Sequence, residues 1–288
     1  MKNLKLKISP STTSKSIIRK WCLLALLLTA MHPSASTAQC TFKNTAFKSG
    51  EFLYYNLYYN WKFVWVKAGS ASMSTVLSRY NGKPAYRTSL TTKGNNKVDE
   101  MFVLRDTLLC YVSEGLAPLY YRKGAREGKR YYVDEVFYSY PGTGVNLRQH
   151  ELHASGDNTW KNTSSKECVY DMMSIFLRAR SFSPEGWSKG HVIKIPIADG
   201  DDMKTALLKY RGKTTIKADN GKKYRCLTLS YMEKEDNKKD YKEIVRFFVT
   251  DDDNHIPIRL DMFLRFGSAK AFLVSMKGNK NPVSAQVK

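Results

Sequence analysis

Residues 51–65 show a strict two-residue periodicity that few folds can accommodate. Every second position carries a large apolar or aromatic residue: Leu53, Tyr55, Leu57, Tyr59, Trp61, Phe63 and Trp65. Side chains alternate between the two faces of a β-sheet, so the pattern predicts a strand with one continuous apolar face. A strand of about 15 residues is well above the usual length, and such strands are typical of strongly curved sheets and barrels.

Short β-type runs follow at regular intervals, with turn signals such as Asn81-Gly82 and Pro141-Gly142 between them. Their spacing predicts an antiparallel meander of about fourteen strands. The Ala68-Gly69 pair predicts a turn or a bulge after the first strand. Residues 155–165 are polar and rich in Gly, Asp and Asn, which predicts a long loop between two halves of the domain.

One segment has helical periodicity. Its apolar residues fall at spacings of three and four and form a single stripe, and Pro184 and Gly186 end the segment. The stripe consists of Val169, Met172, Met173, Phe176 and Leu177. The predicted fold class is therefore mainly β: a large curved antiparallel sheet, half-barrel-like, with one central α-helix near residues 168–182 that covers or plugs the concave face.

The N-terminus has the three parts of a secretion signal. Six basic residues and no acid precede an apolar run of residues 21–30, and Ser36 and Ala38 place small side chains before a cleavage site. We therefore expect a signal peptide at residues 1–38 and a single β-rich domain at 39–288, exported to the periplasm or the outer envelope. No later segment is apolar enough to predict a transmembrane segment in the mature chain.

The chain is strongly basic, and export changes what this charge implies. The whole sequence carries a formal charge of +21, and removal of the six basic residues of the signal leaves +15. For an exported protein we expect no nucleic-acid partner. The polyanions available to it are lipid head groups, lipopolysaccharide phosphates and acidic glycans. Solubility alone is the alternative explanation, because the lysines are scattered.

Four cysteines remain after removal of the signal: Cys40, Cys110, Cys168 and Cys226. In an oxidising compartment they allow two disulfides in three pairings, or buried free thiols. Cys40 lies just after the expected cleavage site, so lipidation of Cys40 is a second alternative. The spacings of about sixty residues predict neither a redox motif nor a zinc site.

Catalytic motifs are absent from the sequence, which favours a non-catalytic protein without cofactor or metal. Four charged residues flank apolar segments and are predicted to form structural pairs: Arg105, Asp106, Asp171 and Arg180. Asp171 falls in the first turn of the predicted helix, where a carboxylate suits the helix dipole. A hydrolase would instead require Asp106, Asp171 or Glu127 to converge in one cleft.

The densest basic and aromatic stretch lies at residues 120–132, which we predict to form a hairpin. Tyrosine rings can stack on sugar faces, and arginines bind phosphates or carboxylates. The stretch is therefore the candidate binding site for an acidic glycan or a lipid head group. Its predicted binding residues are Tyr120, Tyr121, Arg122, Arg126, Arg130 and Tyr132.

Several motifs, taken in order, resemble one family. Gly50-Glu51 opens the aromatic strand, Ala68-Gly69-Ser70-Ala71 follows, and Tyr170-Asp171-x-x-Ser174 precedes Arg180. The pattern over about residues 47–278 is similar to that of the exported bacterial proteins called domain of unknown function 3108. The resemblance implies an envelope location and a β half-barrel like that of lipoprotein carriers. It implies no established activity, so it transfers no catalytic residue.

Three functions are consistent with these features. The leading hypothesis is a cell-envelope binding or assembly module for an amphipathic ligand, such as a lipid, a lipoprotein acyl chain or an envelope glycan. The second is a structural scaffold for envelope protein complexes, which predicts a large exposed apolar patch or sheet edge. The third is a hydrolase of envelope glycan or peptide.

Overall fold

A computed structural model describes residues 40–61, 64–100, 103–234, 240–264 and 267–288. The predicted signal peptide therefore lies outside the described residues. Within the described part of the chain, no helix combines the length and the apolar character that crossing a membrane requires.

The described chain forms one open, curved antiparallel sheet of 15 strands, which confirms the predicted fold class. Strands β1 to β14 follow the order β8-β7-β6-β5-β4-β3-β2-β1-β14-β13-β12-β11-β10-β9, and β15 pairs with β11. Nearly all neighbours are also neighbours in sequence, as expected for a meander. The strands are β1 Glu51–Trp61, β2 Val64–Tyr80, β3 Lys83–Gly94, β4 Leu104–Ser113, β5 Pro118–Glu127, β6 Arg130–Ser139, β7 Val145–Leu152, β8 Asn158–Ser165, β9 Val192–Asp199, β10 Asp202–Lys217, β11 Lys223–Lys234, β12 Tyr241–Thr250, β13 Pro257–Phe263, β14 Ser268–Lys277 and β15 Gln286–Val287.

The prediction of one strand over residues 51–65 is wrong. The chain reverses between Trp61 and Val64, and β1 and β2 form a hairpin in which Trp61 pairs with Val64. Trp65 pairs with Asn60, so it lies on the face opposite to Trp61. The periodicity did not reveal the turn because residues on both arms of the hairpin are equally aromatic.

The break predicted at Ala68-Gly69 is a bulge. Leu57 pairs with Gly69 and Tyr58 pairs with Lys67, which leaves Ala68 as an extra residue in β2. A methyl group on Gly69 would lie 2.1 Å from the carbonyl oxygen of Lys93, so the two strands approach too closely there for any side chain.

The loop predicted at residues 155–165 is wrong over most of its length. Residues Asn158–Ser165 form β8, an edge strand that pairs with β7. Both faces of β8 are largely exposed, and apart from Trp160 its side chains are polar on both sides, so the sequence shows no alternation. Strand β10 has a register shift against β11 between Tyr210 and Gly212.

In the described part of the chain, two helices lie between the strands: α1, a single turn at Asn96–Asp99, and α2 at Met172–Ala179. Helix α2 lies within the predicted 168–182 segment and follows the edge strand β8 in the chain. Asp171 is its N-cap, and a capping box with Ser174 fixes its first turn. Met173 and Leu177 bury one side of α2, and Ile175 is buried on the other side. The helix contacts β4, β5 and β9. The helix therefore packs across the concave side of the sheet.

Candidate functional site

An apolar cavity between α2 and the concave face of the sheet is the main candidate site, and we call it the groove. Its volume is about 280 Å³. Ligand pockets in proteins begin at roughly this size. The helix contributes one wall with Met172, Ile175, Phe176 and Ala179. The opposite wall is formed by strand residues that include Met73, Leu90, Leu108, Leu227, Leu229, Val245, Phe247, Leu260 and Met262.

Strand periodicity explains why the opposite wall is apolar. Leu227, Leu229 and Tyr231 follow each other at intervals of two on β11 and point to the same side. Phe247 and Val249 do the same on the neighbouring strand β12. On the helix side, Met172 is 51% exposed, which places a flexible apolar side chain at the edge of the groove.

The polar side chains beside the groove are held by protein partners. Arg180 donates from Nη1 and Nη2 to the Glu51 carboxylate at 2.5 and 2.8 Å, and Nε and Nη2 each donate to the Asn254 carbonyl oxygen at 3.1 Å. The Tyr55 hydroxyl donates to the Pro257 carbonyl oxygen at 3.0 Å. Burial raises the pKa of Tyr55, so this hydroxyl stays protonated. The groove therefore offers apolar contact rather than free reactive groups.

Asp171 acts on the helix rather than in the groove. Its carboxylate accepts from the backbone N–H groups of Met173 and Ser174 at 2.9 and 2.8 Å, and from the Tyr138 hydroxyl at 3.2 Å. Burial raises the pKa of Asp171, although these hydrogen bonds oppose the shift. The capping box accounts for Asp171 and Ser174 of the Tyr170-Asp171-x-x-Ser174 motif, because the Ser174 hydroxyl completes it.

The structure gives Arg105 and Asp106 different environments. Arg105 forms an ion pair with Asp99 at the end of α1. Asp106 pairs in register with Thr92, a groove residue, and one of its carboxylate oxygens is buried without a hydrogen-bond partner in the described structure. Burial raises the pKa of Asp106, and the nearby Glu127 carboxylate raises it further. Arg180 is thus bound to Glu51 and Asp171 to the first turn of α2, whereas one carboxylate oxygen of Asp106 has no hydrogen-bond partner in the described structure.

The predicted binding residues of the β5–β6 hairpin do not share one face. Tyr121 is 5% exposed and packs in the core on the concave side, next to Val136. Tyr120 is on the convex side, where its hydroxyl donates to Glu135, and Arg122 lies 3.5 Å from the same carboxylate. The other three residues lie near the turn: Tyr132 donates to Glu127, and Arg126 and Arg130 are exposed. Binding at this hairpin stays a prediction.

The cysteines of the described residues form one disulfide. Cys40 is bonded to Cys168, with their Cα atoms 5.4 Å apart and a sequence separation of 128. The thiol of Cys40 is therefore committed to a disulfide. Cys110 and Cys226 are free and buried. Burial raises the pKa of both thiols, that of Cys226 to about 12, which makes them unreactive.

Sequence reasoning missed the most important residues of the site. The groove residues on β11 and β12 showed the expected alternation, but nothing in it distinguished them from ordinary core. Glu51 was read only as the start of a strand, although it is the partner of Arg180. Among the described residues, no group of three or more His, Cys, Asp or Glu side chains is arranged to hold a metal ion.

The comparisons with known proteins agree with the fold. The model of a family described as protein of unknown function (DUF3108) matches residues 54–274. A search of curated proteins found no match. One similar solved structure is the "beta-barrel-like protein of domain of unknown function DUF1849" from Brucella abortus. The two share 11% sequence identity with a TM-score of 0.51, and the similarity covers 81% of this chain and 98% of the other. At that identity the likeness concerns the fold alone.

Proposed function

Since the chain belongs to the DUF3108 family, whose description specifies no activity, we propose a function from the groove: a non-catalytic binding protein for an amphipathic ligand. The apolar part of the ligand lies between α2 and the concave face of the sheet. The observation that carries this proposal is the groove itself, about 280 Å³ and lined almost entirely by apolar side chains. Binding is driven by removal of apolar surface from water on both sides.

The polar residues around the groove also support binding rather than catalysis. Arg180 and Glu51 neutralise each other, and Asp171 caps the helix. The carboxylates of Glu51 and Asp171 both accept hydrogen bonds from protein donors. A scaffold would use an exposed apolar patch, whereas the apolar lining of the groove faces a cavity. A lipid or an acyl chain fits such a surface better than a protein partner does.

We further propose that the protein works in the cell envelope, outside the cytoplasm. Two features support this location. The first 38 residues have the charge, the apolar run and the small residues of a secretion signal. The Cys40–Cys168 disulfide is of the kind that persists in oxidising compartments. A fusion of the first 38 residues to a periplasmic reporter enzyme tests the location, and retention of the fusion in the cytoplasm would refute it.

The binding proposal is tested in two steps. Native mass spectrometry of the protein purified without detergent, followed by solvent extraction, should recover a lipid or an acylated molecule. The purified protein is then titrated with a dansyl-labelled undecanoic acid. Fluorescence should rise on transfer of the dansyl group from water, and unlabelled dodecanoate should reverse the rise.

Matched variants locate the binding. Ala179→Phe places a ring inside the groove and should weaken binding of the labelled acid at least about tenfold. Val192→Phe places the same ring on an exposed strand position outside the groove and should leave binding unchanged. Thermal unfolding verifies that both variants fold, and Leu229→Trp replaces Ala179→Phe if it does not. Equal binding by both variants, or no binding by the native protein, would reject the proposal.

A further inference from the structure

A row of aromatic rings crosses the other face of the sheet, and we call it the aromatic ladder. Its five members are Tyr80, Tyr111, Tyr120, Phe137 and Trp160. Successive ring centroids are 5.2 Å apart from Tyr80 to Tyr111, 6.4 Å from Tyr111 to Tyr120, 5.0 Å from Tyr120 to Phe137 and 6.2 Å from Phe137 to Trp160. These spacings are within the range of aromatic contact, so the rings form one continuous surface.

Strand register places the ladder on the convex face. Tyr111 pairs with Tyr120, and Tyr120 pairs with Phe137, so the three side chains point the same way. The next residue, Tyr121, points into the core. The groove residue Leu108 lies three positions before Tyr111 on the same strand and faces the opposite side. The ladder and the groove are therefore separate surfaces.

Positive charge lines the ladder. The Arg148 guanidinium lies over the Trp160 ring, 4.2 Å from its centroid. Arg87 pairs in register with Tyr111, and both arginines are exposed. Neither forms an ion pair with a carboxylate within the described part of the chain. Glu135 is an acidic residue near the ladder, and its carboxylate already interacts with protein groups.

Glu135 is surrounded by three groups that offset its charge. The Tyr120 hydroxyl donates to it, His150 Nδ1 lies 2.8 Å away and Arg122 Nε lies 3.5 Å away. His150 also stacks on the Trp160 ring at 4.2 Å. The net charge along the ladder is positive, and Trp160 at its outer end is 51% exposed. Trp160 lies exposed on the edge strand β8, and Arg148 of β7 lies over its ring without an ion-pair partner among the described residues. This arrangement favours an anionic partner.

We propose that the aromatic ladder binds an acidic polysaccharide. The exposed parts of the rings contact the apolar faces of successive sugars, while Arg87 and Arg148 bind their carboxylates. The extended, shallow shape of the ladder suits a linear polymer, and the positive charge favours an anionic one over a neutral one. This site goes beyond the proposed lipid function and does not depend on it, because no ladder residue lines the groove.

The test uses oligogalacturonate, a polymer whose only charges are carboxylates, and isothermal titration calorimetry at moderate salt. The full chain without its first 38 residues should bind it, and should bind neutral dextran at least about tenfold more weakly. Trp160→Ala and Arg148→Ala should each weaken oligogalacturonate binding roughly tenfold. Arg148 is exposed, so its replacement leaves folding intact and keeps the test valid if Trp160→Ala unfolds.

The chain contains a matched control at another place on the sheet. Lys270 lies over the Trp65 ring, 4.0 Å from its centroid, which reproduces a cation above an exposed tryptophan outside the ladder. Trp65→Ala and Lys270→Ala should change binding less than about twofold. Equal losses of affinity in the ladder and control variants would show that binding depends only on the overall positive charge, which would overturn the proposal. Equal affinity for dextran, no binding at all, or tighter binding of a single-stranded oligonucleotide would also overturn it.

Discussion

Replacement of Arg180 tests how the concave side is held together. Arg180 is 2% exposed and Glu51 is 1% exposed, so this ion pair is removed from water. The guanidinium makes two hydrogen bonds to the carboxylate and two to the Asn254 carbonyl oxygen. It thereby joins β1, the end of α2 and the turn before β13. Removal of either charged side chain therefore leaves the other one buried without its ion-pair partner.

The expected loss follows from that burial. Arg180→Met leaves the Glu51 carboxylate buried without a counter-ion, which costs about 3–5 kcal/mol of unfolding free energy. Glu51→Leu leaves the guanidinium with only the Asn254 carbonyl and should cost a similar amount. The double variant contains neither charge. Its loss should therefore fall short of the sum of the two single losses by at least about 2 kcal/mol.

Urea unfolding followed by circular dichroism measures these losses, with the midpoint and the slope fitted for each variant. The control is the ion pair of Arg105 with Asp99, whose arginine side chain is 39% exposed. Arg105→Met should leave the urea midpoint almost unchanged, since surface ion pairs contribute little. If Arg180→Met costs less than about 1 kcal/mol, or if the two replacements are additive, the buried pair does not stabilise the fold as argued.

Three other changes have clear expected outcomes. Cys40→Ser with Cys168→Ser should lower the unfolding free energy by about 2–5 kcal/mol, because the disulfide closes a long loop. Titration of the unreduced wild-type protein with a thiol reagent in denaturant should detect no thiol at Cys40 or Cys168. Detection of both thiols would exclude the disulfide. Asp106 has a pKa raised by burial and then by Glu127, so the folded state keeps this proton to a higher pH than the unfolded state. Stability is then lost as pH rises from the ordinary value of 3.8 through the folded pKa. Asp106→Asn should remove that loss, giving a higher Tm than the native protein at pH 7 and an equal one at pH 3; a lower Tm at pH 7 would contradict this reasoning. Gly69→Ala should cost about 1–3 kcal/mol in urea unfolding, because its methyl group meets the Lys93 carbonyl oxygen, and an unchanged midpoint would show that the strands can separate.

Local sequence patterns predicted which helices and strands form better than they predicted where each one begins and ends. The apolar stripe with Met172 and Phe176 located α2 correctly, because helical spacing and a capping aspartate act over a few residues. The reversal between Trp61 and Val64 was missed because no Gly, Pro or Asn marks it. Strand β8 was missed for the opposite reason. An edge strand exposed on both faces needs no apolar alternation, and its pairing with β7 comes from backbone hydrogen bonds that any polar sequence can make.

By itself, the sequence determined a mainly β fold with one helix, a basic surface and a family, because alternation, helical spacing and short ordered motifs are local properties. Only the tertiary structure decided which residues meet. The partner of Arg180 is 129 residues away at Glu51, and the groove joins side chains of α2 to strands that lie before and after the helix in the chain. Tyr120 and Tyr121 are neighbours in sequence yet lie on opposite faces. Such contacts depend on the curvature and register of the whole sheet, which no short segment specifies.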